Sequence, residues 1–433
     1  MMLRPCLILA IACFAFQFPS SDKAFAQQPD QKAAAADQAN DRDNGSSSNR
    51  KPDEEKSAGK KSDDKNAKGE PKADAKSAEK DKPVAKDTSA ENAKKASEKK
   101  REHQLRPAPA GAWTSAPTEG DAAKDFALVG EYLGSLRQTN GEGKKAGSQR
   151  LGLQLRCLGN GEFRALAFTG GLPGQKKFRE ASKQEFLGRR HGDSLVLSGG
   201  PWALLVNPER CLVVGENGDT LGTLDRIRRS SPTLGVAPPK DALVLFSGEN
   251  TDAFAVGSMT EQGLLARGAD INYMLHDFDL HVEFRVPYMP THQGQGRGNS
   301  GIYLQSRYEC QILDSFANER VYNGLGALYR FKPPRINMAF PPLTWQTYDI
   351  RFTAARFGTD GTKLRPARVS VWVNGQQVHD DVALEGPTGN GKDEGPVLLP
   401  TKLQDHRDPV VFRNVWAIDR GLQSAGKFPL KAD

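Results

Sequence analysis

The stretch FDLHVEFRV, residues 278–286, alternates apolar and polar side chains along its whole length. Because successive side chains of a β-strand point to opposite faces, its apolar residues share one face and its polar residues share the other. The apolar face comprises Phe278, Leu280, Val282, Phe284 and Val286, and the polar face Asp279, His281, Glu283 and Arg285. This is the clearest strand pattern in the chain, and it predicts a sheet with one face packed in a core.

Further strand patterns flank this one on both sides. LVLF (243–246) precedes it, and RVSVWV (368–373) is followed by Asn374-Gly375, a pair that suits a type I′ hairpin turn. No helical periodicity of useful length separates these strands, and that order favours an antiparallel sandwich or jelly roll over βαβ units. We therefore predict an all-β protein whose jelly-roll sandwich occupies residues 240–421.

A second folded unit is predicted upstream, at residues 121–232. There, short apolar runs such as LGLQLRC (151–157) and FRALAF (163–168) are separated by glycine turns. This pattern is typical of a small antiparallel β domain. We find no catalytic constellation in it and expect an accessory domain, joined to the jelly roll by the proline-rich segment SPTLGVAPP (231–239).

The cysteines beyond the N-terminal region leave one alternative open. Cys157 and Cys211 lie in the upstream unit and could form a disulfide in an exported protein, or could stay reduced. Cys310 lies inside an apolar strand pattern, so we expect a buried free thiol there. The sequence contains no Cys/His cluster with the spacing of a structural zinc site.

The N-terminal region carries signals for export and for a tether. Arg4 precedes a short apolar run at residues 6–18, and AFA (24–26) offers a cleavage site, so residues 1–26 are predicted to be a signal peptide. The apolar run is shorter than the ~20 residues that a membrane-spanning helix needs. We therefore expect a secreted or periplasmic protein without a transmembrane segment.

Residues 27–120 are predicted to be a disordered charged tether, because they lack the apolar residues that a core requires. The net charge of +7 and the pI of about 9.0 suggest a nucleic-acid-binding protein. In the tether, however, acidic residues alternate with the lysines, as in KPDEEK (51–56). We therefore expect no nucleic-acid partner.

The run GNSGIYLQSRYECQILDS, residues 298–315, carries the candidate site. It is interpreted as two strands joined near residues 305–307. Along the second strand Arg307, Glu309 and Gln311 alternate with apolar residues, so their side chains share one face. Guanidinium, carboxylate and amide groups in a row suit the hydroxyl groups of a sugar; the alternative is an ordinary solvent-facing polar stripe.

Several motifs resemble the 3-keto-disaccharide hydrolase family, formerly a domain of unknown function, over most of residues 241–420. They are LFSG (245–248), NSGI (299–302), RYECQILD (307–314), GALY (326–329), WQTY (345–348), LQDH (403–406) and VFRN (411–414). The resemblance implies a concanavalin-like jelly roll and activity on glycosides oxidised at C3. Two departures are Cys310, where the family usually has a small aliphatic residue, and Arg407-Asp408, where Gly-Asn is more usual.

This chemistry requires a base for the C2 proton, an acid for the leaving oxygen and positive charge near the developing enolate. Our candidates are Glu309 as the base, His406 as the acid and Arg413 as a contact to the substrate or enolate. Asn299, Arg307, Gln311 and Gln404 are the other candidate substrate-binding residues. Asp314 and Asp405 are candidate ligands of a divalent cation such as calcium.

Each assignment has a structural alternative. His406 could be a satisfied structural histidine, Asp314 could cap the end of a strand, and Asp405 could hold a loop. Trp345 and Trp372 could stack on a sugar ring or pack in the core. The predicted function is cleavage of a 3-keto glycoside, with a noncatalytic carbohydrate-binding module or a protein-binding envelope protein as alternatives.

We predict that the exported protein begins at Gln27, because the charged, apolar and small-residue segments before it form a signal peptide. N-terminal sequencing or intact-mass analysis of protein recovered from the cell envelope or the medium measures the start of the mature chain. Protein that retains Met1 would contradict the prediction.

Overall fold

The computed structural model describes residues 107–139 and 145–421. Its regular structure is almost entirely β, which confirms the predicted all-β class. The predicted signal peptide and residues 27–106 of the predicted tether lie outside the described residues. Residues 107–120 are described, and the backbone of Trp113 forms two hydrogen bonds of 2.9 Å with that of Tyr288. Residues 107–120 of the predicted tether thus have a defined structure.

The upstream unit is a closed antiparallel barrel that follows a short helix, α1 (Gly120–Leu128). Leu153, Leu155 and Phe163 are among the apolar side chains that fill its core. Each strand pairs with the next, and the last pairs with the first: β1 (Gly130–Thr139), β2 (Lys145–Gly159), β3 (Glu162–Thr169), β4 (Gln184–His191), β5 (Ser194–Ser198), β6 (Ala203–Val206), β7 (Arg210–Val214) and β8 (Thr220–Ile227). A 3₁₀ helix, Glu180–Ser182, precedes β4.

All three cysteines of the described residues are free and buried. Cys157 and Cys211 therefore do not form a disulfide, which was one of the two alternatives. The expected buried free thiol at Cys310 is confirmed. Burial raises the pKa of Cys211 to about 12 and also raises that of Cys310. These thiols therefore behave as small apolar core groups.

The downstream unit is a sandwich of two sheets. A 3₁₀ helix, Gly294–Gly296, lies in the connection between two of its strands. The five-stranded sheet has the order β10 (Phe254–Val256), β12 (Ala269–Ile271), β21 (Lys402–Leu403), β14 (Ser300–Leu304) and β15 (Tyr308–Ile312). The seven-stranded sheet has the order β11 (Leu265–Ala266), β22 (Val411–Gly421), β13 (Asp277–Arg285), β16 (Gln346–Thr353), β19 (Ala367–Val373) and β20 (Gln376–Leu384), with β9 (Leu243–Phe246) beside β22. β17 (Arg356–Phe357) and β18 (Lys363–Arg365) form a separate ribbon.

The alternation that predicted β13 places Phe278, Leu280, Val282 and Phe284 in the core. Its polar face is buried as well, because the joint between the two units covers it. There His281 bonds Asp349 at 2.5 Å, and the Thr233 hydroxyl of the joint donates to the same carboxylate at 2.7 Å. Burial alone would lower the pKa of His281, but its bonds to Asp349 and Glu283 outweigh burial and raise it. A polar strand face is thus used to dock the joint.

No helix among residues 107–139 and 145–421 combines the length and the apolar character of a membrane-crossing helix.

The joint also packs on the hairpin turn predicted at Asn374-Gly375. Both residues have positive φ, 51° and 77°, as a type I′ turn requires. A methyl group at Gly375 would collide with the Pro232 ring of the joint. Glycine is therefore needed here for both the backbone conformation and the contact.

We predict that Gly375→Ala lowers the free energy of unfolding by more than Gly361→Ala. Both glycines have positive φ, but nothing lies within 4 Å of a methyl group at Gly361. Each variant bears the left-handed backbone cost of about 1–2 kcal/mol, and only Gly375→Ala adds an overpacking cost of about 1–3 kcal/mol. Urea-induced unfolding measures both, and equal losses would contradict the described packing of the joint.

Candidate active site

The candidate site lies on the outer face of the five-stranded sheet. Ile302, Tyr308 and Cys310 point into the core between the sheets, where the Tyr308 ring lies 5.7 Å from that of Phe352 in β16. Because side chains alternate, the intervening residues of β14 and β15 point to the opposite face. There Gly301 pairs with Gln311, and Tyr303 pairs with Glu309. The predicted common face of Glu309 and Gln311 is therefore present.

β21 adds a third strand to this face. Leu403 pairs with Ile302 and is buried, so Lys402 and Gln404 point outward. Lys402 pairs with Tyr303 and forms a 3.1 Å ion pair with Asp270. The backbone N–H of Gln404 donates to the carbonyl of Gly301 at 2.8 Å. One row across the strands therefore reads Lys402, Tyr303, Glu309, and the next reads Gln404, Gly301, Gln311.

The carboxylate of Glu309 occupies space that two glycines leave open. It accepts a hydrogen bond of 2.7 Å from the Tyr303 hydroxyl, and the residue is only 3% exposed. A methyl group at Gly301 would lie 2.5 Å from Glu309 Oε1, and one at Gly389 would collide with Oε2. Any larger residue at either position would displace the carboxylate or the backbone. The two glycines thus leave room for the Glu309 carboxylate to lie close to the sheet.

Residues 385–400, here called the covering loop, close over the turn between β14 and β15. Thr388 is fixed twice, because its Oγ1 accepts from the Glu309 N–H at 2.7 Å and its N–H donates to the Arg307 carbonyl at 3.0 Å. The Arg307 guanidinium donates to the carbonyls of Asp393 at 2.9 Å and Val397 at 2.8 Å. Arg307, predicted to bind substrate, is instead a buried anchor of the loop, because it lies in the turn and faces these carbonyls.

Asn299 and Gln311, both predicted to bind substrate, are brought together by a residue that the sequence did not single out. Gln295 Oε1 accepts from Gln311 Nε2 at 2.8 Å and from Asn299 Nδ2 at 3.3 Å. The Gln295 carbonyl also accepts from Asn299 Nδ2 at 2.7 Å. Gln404 lies across Gly301 from Gln311, so these three predicted residues border one area.

Asp314 is not available as the predicted cation ligand. Its Oδ2 accepts from Arg297 Nε at 2.7 Å, and both side chains are buried. The same guanidinium donates to the carbonyls of Pro290 at 3.0 Å and of Cys157, in the barrel, at 3.3 Å. The pair therefore fixes the segment before Asn299 between the barrel and the sandwich.

Asp405, the second predicted ligand, is also paired with an arginine. It accepts from Arg267 Nε at 2.7 Å and from the Arg407 N–H at 2.8 Å. Within the described part of the chain, no three His, Cys, Asp or Glu side chains are grouped so that they could hold a metal ion. Because both carboxylates are paired with arginine, Asp314 and Asp405 do not fit a resident divalent cation. This corrects the prediction of a calcium site, and no step of the chemistry below uses a metal.

His406, the predicted acid, is half-buried and lies near the carboxyl group of Asp408. Asp408 is one of the residues that differ from the usual family motif. Asp408 is 2% exposed, and its Oδ2 accepts from the Asn299 N–H at 2.7 Å. Burial raises the pKa of Asp408, although nearby His406 and His292 oppose this shift. The change from the usual Asn to Asp408 thus introduces a buried carboxyl group directly behind Asn299.

Arg413 lies on the other sheet, which corrects its predicted role. Its neighbour Phe412 is in the core, so Arg413 points away from the five-stranded sheet. It forms a 2.7 Å ion pair with Glu283, and its guanidinium lies 4.1 Å from the centre of the Trp345 ring. Trp345 therefore stacks against arginine on that outer face.

Comparison with known proteins identifies the family of the downstream unit. Residues 241–418 match the model of the 3-keto-alpha-glucoside-1,2-lyase-like domain. A candidate glycosyl hydrolase from Parabacteroides distasonis is 31% identical to this chain, over 42% of this chain and 84% of its own, with a TM-score of 0.38. The chain belongs to the 3-keto-alpha-glucoside-1,2-lyase-like family.

Two further candidate glycosyl hydrolases from the same organism match part of the chain at lower identity. One is 17% identical over 42% of this chain and 95% of its own, with a TM-score of 0.32. The other is 20% identical over 41% of this chain and 98% of its own, with a TM-score of 0.28. None of the curated proteins matches the chain.

The quoted motifs of the lyase-like domain divide between the two sheets. NSGI (299–302), RYECQILD (307–314) and LQDH (403–406) meet at the candidate site, whereas VFRN (411–414) lies on β22 of the other sheet. Tyr303 and Lys402 were missed, although alternation from Gly301 and Leu403 puts both on the site face. Gln295 was missed because it lies in a loop, where no periodicity indicates the direction of a side chain.

We predict that Tyr303→Phe lowers the free energy of unfolding by about 1–3 kcal/mol, because a buried carboxylate loses a hydrogen-bond donor. Tyr322→Phe is the control, since Tyr322 is 53% exposed. Urea-induced unfolding of the two variants beside the wild type gives the difference. Equal stability of both variants would contradict the described bond between Tyr303 and Glu309.

Proposed function

We propose that the outer face of the five-stranded sheet is the active site of an exported enzyme that cleaves glycosides oxidised at C3. The observation that carries the proposal is the carboxylate of Glu309, which accepts from the Tyr303 hydroxyl and fills the space that Gly301 and Gly389 leave. A base fixed in place beside amide groups suits proton removal from a bound sugar. The family match and the candidate glycosyl hydrolase at 31% identity support an enzyme of this general class.

The proposed reaction begins at C2 of the sugar. A ketone at C3 acidifies the C2–H bond, so a carboxylate can accept that proton while the electron pair forms an enolate. The enolate then expels the substituent at C1, which leaves with a proton from an acid, and a C1–C2 double bond forms. Water adds across this double bond, so that C1 gains a hydroxyl group and C2 regains a proton. The net change is hydrolysis of the glycosidic bond.

Glu309 is the proposed base. Its Oε2 is held by Tyr303, and its backbone N–H is held by Thr388, so the side chain starts from a fixed position. Pre-positioning of this kind removes orientational freedom that a free carboxylate would lose in the transition state. Tyr303 is a positioning residue in this proposal, because it acts through the carboxylate.

Lys402 is the proposed source of positive charge near the enolate oxygen, a role that the sequence had assigned to Arg413. It lies two strands from Glu309 in the same row, and neighbouring strands are about 4.8 Å apart. Its ammonium is paired with Asp270 of β12, so the proposal requires the long side chain to exchange this ion pair for a sugar oxygen next to Tyr303. His406 remains the proposed acid for the leaving oxygen, from the side of the site formed by residues 404–408.

We predict that Glu309→Gln reduces turnover of a 3-keto glycoside by about 10²- to 10⁴-fold, because the amide keeps the shape and removes the basicity. Binding of the same compound should change little. Glu385→Gln is the control, since Glu385 is an exposed glutamate of the same domain. Turnover and binding are measured in parallel for all three proteins.

Two outcomes would contradict the proposal in different ways. Unchanged turnover by Glu309→Gln would remove Glu309 from the mechanism. Binding without turnover of any 3-keto glycoside by the wild type would favour the noncatalytic carbohydrate-binding module.

A further inference from the structure

Gln295 occupies a one-turn helix beside the site, and its own orientation is fixed. Its Nε2 donates to the backbone carbonyl of Asn323 at 2.9 Å. A carbonyl can only accept a hydrogen bond, so the amine end of the Gln295 amide must face Asn323. Its Oε1 must therefore face Asn299 and Gln311.

This orientation dictates the orientation of two other amides. Asn299 and Gln311 both donate their NH₂ groups to Gln295, and Asn299 also donates to the Gln295 carbonyl. Their side-chain oxygens must then point away from Gln295. Asn323 thus orients Gln295, and Gln295 orients both amides.

Neither of these two amide oxygens accepts a hydrogen bond within the described residues, and neither does the amide oxygen of nearby Gln404. Across residues 107–139 and 145–421, Asn299 Oδ1, Gln311 Oε1 and Gln404 Oε1 are buried atoms that accept no hydrogen bond. Asn299 and Gln311 are 2% and 0% exposed. Leaving a buried carbonyl without a donor costs free energy, and three on one face indicate that a ligand supplies the donors.

The charge of the surrounding side chains restricts that ligand. The Glu309 carboxylate lies on the same face, Asp408 lies behind Asn299, and the positive charge of Lys402 on this face is paired with Asp270. Amide oxygens and carboxylates attract O–H groups and repel anionic oxygens. The matching ligand chemistry is a neutral sugar with free hydroxyl groups, as distinct from a uronate or a sugar phosphate.

We propose that Gln295 is a positioning residue that sets the preference of the site for neutral, hydroxyl-rich sugars over anionic ones. It does so by holding the amides of Asn299 and Gln311 with their oxygens toward the ligand. Without Gln295, either amide could rotate and present its NH₂ group, which accommodates an anionic oxygen. The inference rests on the proposed function for the class of ligand, but it concerns binding and is independent of turnover.

The test uses Gln295→Leu, which removes the acceptor for both amides. Gln293→Leu is the matched control, because Gln293 is an exposed neighbour in the same loop. The probes are a neutral methyl glucoside and the corresponding methyl glucuronide, neither of which carries the C3 ketone. Binding of each probe is measured by titration calorimetry or ligand-observed NMR, and thermal unfolding establishes that every variant is folded.

We expect the wild type and Gln293→Leu to bind the neutral probe at least about tenfold more tightly than the anionic one, a ratio equal to one good hydrogen bond. In Gln295→Leu this ratio should fall toward one. An unchanged ratio in folded Gln295→Leu would overturn the proposal. This is the result expected if bound water, and not a ligand, satisfied the amide oxygens. Binding of neither probe by the wild type would also overturn it. The expected ratios without turnover of 3-keto glycosides would remove the proposed reaction and leave this inference standing.

Discussion

The buried ion pair between Arg297 and Asp314 is the interaction on which the geometry of the site depends. A buried arginine is tolerated only when its donors are satisfied, and Arg297 satisfies them with a carboxylate and with carbonyls from two units. Asp314 follows β15, which carries Glu309 and Gln311, and Arg297 follows Gln295 and precedes Asn299. Because the guanidinium also bonds Cys157 in the barrel, the accessory unit helps to fix one wall of the candidate site. Loss of either charge would leave the other buried without a partner.

Strand alternation explains how one short hairpin serves the core and the site together. Tyr308 and Cys310 fill the sandwich, while Glu309 and Gln311 face outward from the same five residues of β15. Outward-facing residues of a sandwich are ordinarily exposed, yet these are buried, because the covering loop and Gln295 lie above them. The space left by the missing side chain of Gly301 is filled by the Glu309 carboxylate. A site of this kind needs a missing side chain on one strand as much as it needs reactive side chains on the next.

The sequence carried most of the fold and part of the site. Period-two alternation and the Asn374-Gly375 turn predicted strands and a hairpin that the structure contains, and alternation alone placed Glu309 and Gln311 on one face. Alternation does not predict which residues distant along the chain contact a given side chain. Arg307 is anchored by carbonyls near residue 395, and Arg413 is paired with Glu283 on another sheet. A charged residue next to a motif reveals its type, but the direction of its side chain depends on the sheet to which its strand belongs.

Two buried carboxyl groups show why burial alone does not determine the acid–base chemistry of this domain. Burial raises the pKa of both, but in Glu283 hydrogen bonds from His281, Asn414, the Gly235 N–H and Arg413 outweigh burial and lower the pKa to about 2. Asp408 receives the Asn299 N–H, and there burial prevails, so its pKa is raised. The number of donors therefore separates a permanently ionised structural group on one sheet from a group that keeps its proton to higher pH beside the other. Because Asp408 adjoins both Asn299 and His406, the segment 404–408 is the side of the candidate site where a buried carboxyl group lies next to the proposed acid.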